Sequence, residues 1–294
     1  MVLYFSLIAI SLILGYFSPP LFNLKSTIPI VLGFSLFLSF LLLPLGRNIK
    51  KNIKYLLFSS IYRFFILPTL LYIIKYFFFI NIPNGVFLIA MAPTGLGAVL
   101  LLSQTKYKSE LIAHDVIFQN LLSIFLIPLI SSLYLSTHMN PQNLGVFVLK
   151  LFIMIIVPFS FSFIVKKIFK NLSNYKKIIS KINVTSLMYI IFIASNLAFY
   201  KLKTTNNINY IYIFSPILIG MINYFIGTKL SRNPLIKANT SIIIGYRNTS
   251  LTIWIAISFF DYIDSIPAVV YIIVQHTLNI FTLSILHIKD SKRK

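Results

Sequence analysis

An all-α integral membrane protein, with ten transmembrane helices in two inverted five-helix repeats and broken crossing helices four and nine, is the fold class predicted by this sequence. The first observation is compositional: 58% of the 294 residues are hydrophobic and 11% are charged. A soluble domain carries about 25% charged residues, so lipid is the main solvent here. The second is a series of apolar runs between loops rich in Lys, Asn, Pro and Gly, each near the roughly 17–25 residues that a helix needs to cross a bilayer. The third is a pair of interrupted runs, at 90–104 and 241–256, in matching places of the two halves. Paired interruptions of this kind mark the binding site of secondary transporters.

In chain order, the expected spans are 1–17, 27–45, 55–80, 84–104, 109–136, 144–166, 182–200, 208–229, 238–259 and 265–287. Their continuous apolarity argues for helices, since a porin-type barrel shows short alternating segments. The first run lacks the basic start and small-residue cleavage site of a secretory signal, so it is expected to remain as a span. Loop charges test the count. Nineteen Lys and Arg residues, at 47–54, 106–108, 166–181, 229–237 and 289–294, fall on one side, while only Lys25, Lys201 and Lys203 fall on the other. The positive-inside rule places both termini in the cytoplasm. Five spans per half give the halves opposite orientations. The expected units are residues 1–137, the first repeat; 143–288, the second; and 289–294, a basic cytoplasmic tail.

The net charge of +21 resides in short clusters between apolar runs. That pattern fits cytoplasmic loops and predicts no nucleic-acid partner. The chain has no Cys and five acidic residues, which excludes disulfides and thiol chemistry and leaves little for a metal centre. There is no GxSxG, HExxH or P-loop pattern, so no catalytic or metal-ligating residue is assigned and no enzyme is expected.

The candidate binding residues cluster in the interrupted runs and in two neighbouring spans. Pro93 removes a backbone donor, and Gly95 allows close backbone approach beside Thr94; a simple proline kink is the alternative. In span nine, Gly245 can open the helix before Arg247, Asn248 and Thr249. A guanidinium offers five fixed donors suited to a carboxylate or sulfonate. A structural ion pair between Arg247 and Asp115 is the competing role, and both can hold together. Helical spacing brings Asp115 near Gln119 and Asn120. Span ten contributes His276, with Gln275 and Asn279. Each of these polar residues serves equally as substrate contact or as interhelical glue. Arg63 lies deep in span three with no partner evident from sequence.

These stretches resemble the bile acid:sodium symporter family, whose bacterial members have ten spans in two inverted repeats, crossed broken spans four and nine, and a panel of gating helices. The residues that carry the resemblance are Pro93, Thr94, Gly95, Leu96, Gly97, Ala98 and Val99 in span four, the end of span five from Asn120 to Leu129, and Gly245 to Trp254 in span nine. Where the family carries sodium ligands, this chain has Ala98, Val99, Ile112, Val116, Ile243 and Arg247. A hard cation needs several oxygen ligands, which the apolar side chains do not supply. No cofactor is expected, sodium coupling is in doubt, and Arg247 stands as a tethered cation in its place.

The resulting expectation is a secondary transporter of a small organic anion in the bacterial inner membrane, with the bilayer and a homodimer among its candidate partners. Its coupling would be uniport, exchange or proton transfer through His114, Asp115 or His276. The competing readings are an auxin-efflux-carrier-like permease and a non-transporting membrane receptor or scaffold that keeps the fold.

Overall fold

The computed structural model describes residues 2–44, 52–98, 110–135, 141–169, 172–205 and 210–291. Helix α1 (Val2–Phe17) precedes a 3-10 turn, Phe22–Thr27, which runs into α2 (Ile28–Leu41). Helix α3 (Ile53–Ile61) continues through a π turn, Tyr62–Ile66, into α4 (Leu67–Phe77). After the short α5 (Asn84–Met91) come α6 (Glu110–Tyr134), α7 (Pro141–Ile168), α8 (Lys176–Thr205) and α9 (Ile211–Lys229). Helices α10 (Pro234–Gly245) and α11 (Thr249–Phe259) share the ninth apolar segment. A 3-10 turn, Tyr262–Ser265, then leads into α12 (Ile266–Ser291). Pro141 and Pro234 open their helices, where a missing N–H costs nothing.

Among the described residues, seven helices are long and apolar enough to cross a membrane: Phe22–Leu41, Ile53–Phe77, Glu110–Tyr134, Gln142–Ile168, Lys176–Thr205, Ile211–Lys229 and Tyr262–Thr282. Each coincides with an expected span. The segments expected as spans one, four and nine hold shorter helices. Segments four and nine are short because each is broken where Pro or Gly interrupts the apolar run. The later part of segment four, including Val99, and residues 139 and 140 of the connection at 139–143 lie outside the described residues, as does the expected repeat boundary at 137.

Polarity is distributed for a lipid solvent. Phe17, Ile30, Phe161, Phe214, Leu218 and Phe225 are exposed on the outer surface, while Ser59, Arg63, Asp115, Gln119, Asn120 and Asn223 are fully buried. Apolar side chains face outward at little cost in hydrocarbon, whereas charged groups must face protein.

The helices pack in two groups. In one, α1 lies along α8 and α2 lies against both α7 and α8. In the other, α9 packs on α10 and α12, α5 touches α12, and α6 touches α10. The two broken segments belong to this second group, and their breaks meet inside it.

Candidate functional site

Helix α5 stops at Met91 because Pro93 disfavours helical geometry in the residue before it. Ala92 is accordingly extended, with φ −57° and ψ 132°. Helix α10 stops at Gly245, and Asn248 caps α11 by accepting from the Leu251 N–H at 3.2 Å. Between these ends the two extended pieces run antiparallel as a single bridge, Thr94 with Arg247. The Asn248 N–H donates to the Pro93 carbonyl at 2.7 Å, and the Gly95 N–H donates to the Tyr246 carbonyl at 3.2 Å. Each break therefore satisfies part of the other's freed backbone, which is what makes irregular chain tolerable inside a membrane protein. Gly95 is required by space: a Cβ there would lie 2.7 Å from the Arg247 carbonyl oxygen and 2.8 Å from the Tyr246 ring.

The remaining freed carbonyls are taken by side chains. Arg63 donates through Nη1 to the Ala92 oxygen at 2.9 Å and through Nη2 to the Ile243 oxygen at 2.6 Å. Arg247 donates through Nη1 to the same Ala92 oxygen at 3.2 Å. Tyr271 donates to the Gly245 oxygen at 2.7 Å, and Gln275 accepts from the Arg247 main-chain N–H at 2.9 Å. Asn120 donates to the Thr94 and Val116 oxygens and accepts from Asn248 at 3.3 Å.

Asp115 has a different set of partners from the one expected. Thr94 and Ser59 each donate to its carboxylate at 2.5 Å, and Gln119 lies at 3.5 Å while also donating to Ser59 and Ser60 at 2.8 Å. The expected Arg247–Asp115 ion pair does not form: the Arg247 guanidinium is drawn to the Ala92 carbonyl, which the break leaves without a helical partner. The two guanidinium groups share the Ala92 oxygen, and the Arg63, Arg247 and Asp115 side chains are all at most 1% exposed. Arg247 Nε and Nη2 and Arg63 Nε have no hydrogen-bond partner among the described residues. The arrangement presents excess positive charge and unused donors, which suits an anion.

The crossing gathers Pro93, Thr94, Gly95, Asp115, Gln119, Asn120, Gly245, Arg247 and Asn248, with Thr249 buried at the start of α11. His276 lies to one side, its ring edge-on to Tyr246 at 5.6 Å. Sequence reasoning missed the roles of Arg63, Ser59 and Tyr271. A buried charge in an apolar span was the available signal for Arg63, but its partners are main-chain oxygens that no side-chain pattern announces. The π turn that carries Arg63 is a feature often found at functional sites. Of the positions where the resemblance implies ion ligands, Ala98, Ile112, Val116 and Ile243 are buried apolar side chains.

No curated protein matches the chain. A model of the Sodium Bile acid symporter family matches residues 29–205, more than half of the sequence. The match takes in the Pro93 break, Arg63 and the Asp115 cluster, and ends before the Arg247 segment. The apolar helices and this match make the chain a multi-pass membrane protein with a transport role, and it belongs to the Sodium Bile acid symporter family.

Proposed function

We propose that this protein is a secondary transporter that moves a small organic anion across the bacterial inner membrane by alternating access, with both termini in the cytoplasm. The observation that carries the proposal is Arg247, a buried guanidinium with two nitrogens unpartnered among the described residues, at the meeting point of two broken helices. A buried charge with unmet donors is costly unless a ligand completes it. Asn248, Thr94 and Asn120 line the same point and would orient the ligand. Gln119 and Asp115 would hold the broken segment, and His276 would support Tyr246 next to Arg247.

The ten-span reading, with repeats at 1–137 and 143–288, draws support from reciprocal packing. Matching the halves in order pairs α1 with α7 and α2 with α8, so the contact of α1 with α8 is mirrored by that of α7 with α2. In the other group, the contact of α5 with α12 is mirrored by that of α10 with α6. An inverted repeat generates such reciprocal contacts, and rocking one group against the other would alternate access to the crossing.

The test is uptake into proteoliposomes from a panel of small carboxylates and sulfonates. Saturable uptake of at least one, lost in Arg247→Gln while the variant stays folded, supports the reading. Saturable uptake that Arg247→Gln leaves unchanged removes Arg247 from the site, and no uptake by the intact protein of any member removes transport of this substrate class.

A further inference from the structure

The name of the family implies a sodium ion, and the oxygens of this crossing can be tested for whether they fit one. Helices α5 and α10 both end here, so each directs its carbonyl end and negative dipole at the same place. Such a point attracts a cation. In this chain the cations are already covalently attached. Arg63 spans the gap, one nitrogen on the Ala92 oxygen of the first break and the other on the Ile243 oxygen of the second. Arg247 adds a second donor to the Ala92 oxygen. The hydroxyl of Thr94 is 3.2 Å from the Ile243 oxygen and bonded to Asp115. These oxygens would form a reasonable set for a hard monovalent cation, but the guanidinium groups use the main-chain members. A free cation about 4 Å from either arginine, at an effective dielectric of about 20, would bind nearly a thousandfold more weakly than without it. The residues present do not fit a mobile sodium ion.

We infer that Arg63, together with Arg247, is a resident cation that replaces the coupling ion at the crossing, so that transport by this protein is independent of sodium. This inference rests on the crossing being the transport site. It assigns Arg63 a role distinct from that of Arg247. Both Arg63 terminal nitrogens are committed to the two helix ends, so it acts as the clamp, while Arg247 keeps the free donors that face the substrate. Charge balance makes the idea sharp. Arg63 and Arg247 against Asp115 leave one net positive charge. Removing both leaves one net negative charge, uncovers the Ala92 and Ile243 oxygens beside Thr94 and Asp115, and makes room for one sodium ion to neutralise it, whereas removing Arg63 alone leaves Arg247 on the Ala92 oxygen.

The experiment is thermal unfolding of the purified full-length protein in sodium chloride against choline chloride at matched concentration, so that any chloride effect cancels. The intact protein is expected to show the same Tm in both salts. The double variant Arg63→Ala with Arg247→Gln is expected to unfold at a lower temperature in choline and to regain several degrees in sodium, saturably, as a ligand of the native state does. Arg63→Gln with Arg247→Gln, which keeps an amide donor at position 63, is the second variant should the first fail to fold, and the same gain is expected of it. A saturable rise in the Tm of the intact protein with sodium overturns the inference, and so does a folded double variant with no sodium response. These readings need no transport. Anion uptake accelerated by a sodium gradient would sink this inference and leave the proposed function standing. Absence of all anion uptake, with the sodium-insensitive Tm retained, would sink the proposed function and leave only the assignment of the two arginines as resident cations.

Discussion

Arg63 and Arg247 share the Ala92 carbonyl, so two positive charges meet at the crossing, where Asp115 is the acidic side chain, and all three have at most 1% exposure. Like charges at this depth repel and are poorly solvated, so stability and binding oppose each other at Arg247. Arg247→Gln is therefore expected to leave Tm unchanged or raise it. A clear fall in Tm would show that the Nη1 bond to Ala92 outweighs the repulsion. Asp115→Asn should act in the opposite sense. It leaves two cations without a counter-charge and should destabilise the protein by about 3–5 kcal/mol, the range for breaking a buried charge arrangement from one side. Combining the two substitutions should recover part of that loss, since one unbalanced charge is then removed. Denaturation of the two single variants and the double variant measures the coupling; strict additivity would mean that Asp115 and Arg247 do not sense each other.

At the scale of elements, the crossing depends on two short extended pieces that pass in backbone contact. Gly95→Ala sets a methyl group against the Arg247 carbonyl, which cannot rotate away as a side chain could. The expected cost is about 1–3 kcal/mol for overpacking, with uptake impaired as the bridge is pushed apart. Gly145 in α7 provides the control, with nothing within 4 Å of its added Cβ. Gly145→Ala should be neutral or stabilising by about 0.5–1 kcal/mol, because alanine loses less backbone entropy in a helix. Equal destabilisation by the two substitutions would remove the close-approach explanation. Gly245 is under a related constraint, since a Cβ there would come within 2.4 Å of the Tyr224 ring. That ring is anchored through its hydroxyl at 3.1 Å from the Gln275 oxygen.

At the scale of the whole molecule, the distribution of loop charge predicts which ends of the helices face the cytoplasm. The absence of Cys from the sequence makes the test free of background. Lys177, exposed near the start of α8, and Lys203, exposed near its end, lie at opposite ends of one membrane-crossing helix. In intact cells, an impermeant thiol reagent should label Lys203→Cys and spare Lys177→Cys until the membrane is opened. The reverse pattern would invert the topology and place the basic loops outside.

Membrane residence, helical class and the positions of both breaks could be read from the sequence, because each follows from local chemistry. Apolar runs cannot be solvated by water, Pro93 acts on its immediate neighbour Ala92, and Gly245 and Asn248 end one helix and cap the next within a few residues. The cluster of Asp115, Gln119 and Asn120 was likewise legible from helical spacing. The partners of the two arginines were not. Pairing Arg247 with Asp115 was the natural expectation from charge alone, yet the guanidinium groups go to main-chain oxygens at Ala92 and Ile243. Those oxygens become acceptors only because the breaks free them, and they are brought together from segments 29 and 180 residues away from Arg63. Where a long side chain ends depends on helix packing and on the π turn that carries Arg63. The tertiary structure alone decided that the positive charge at the crossing is doubled and that it clamps both broken helices.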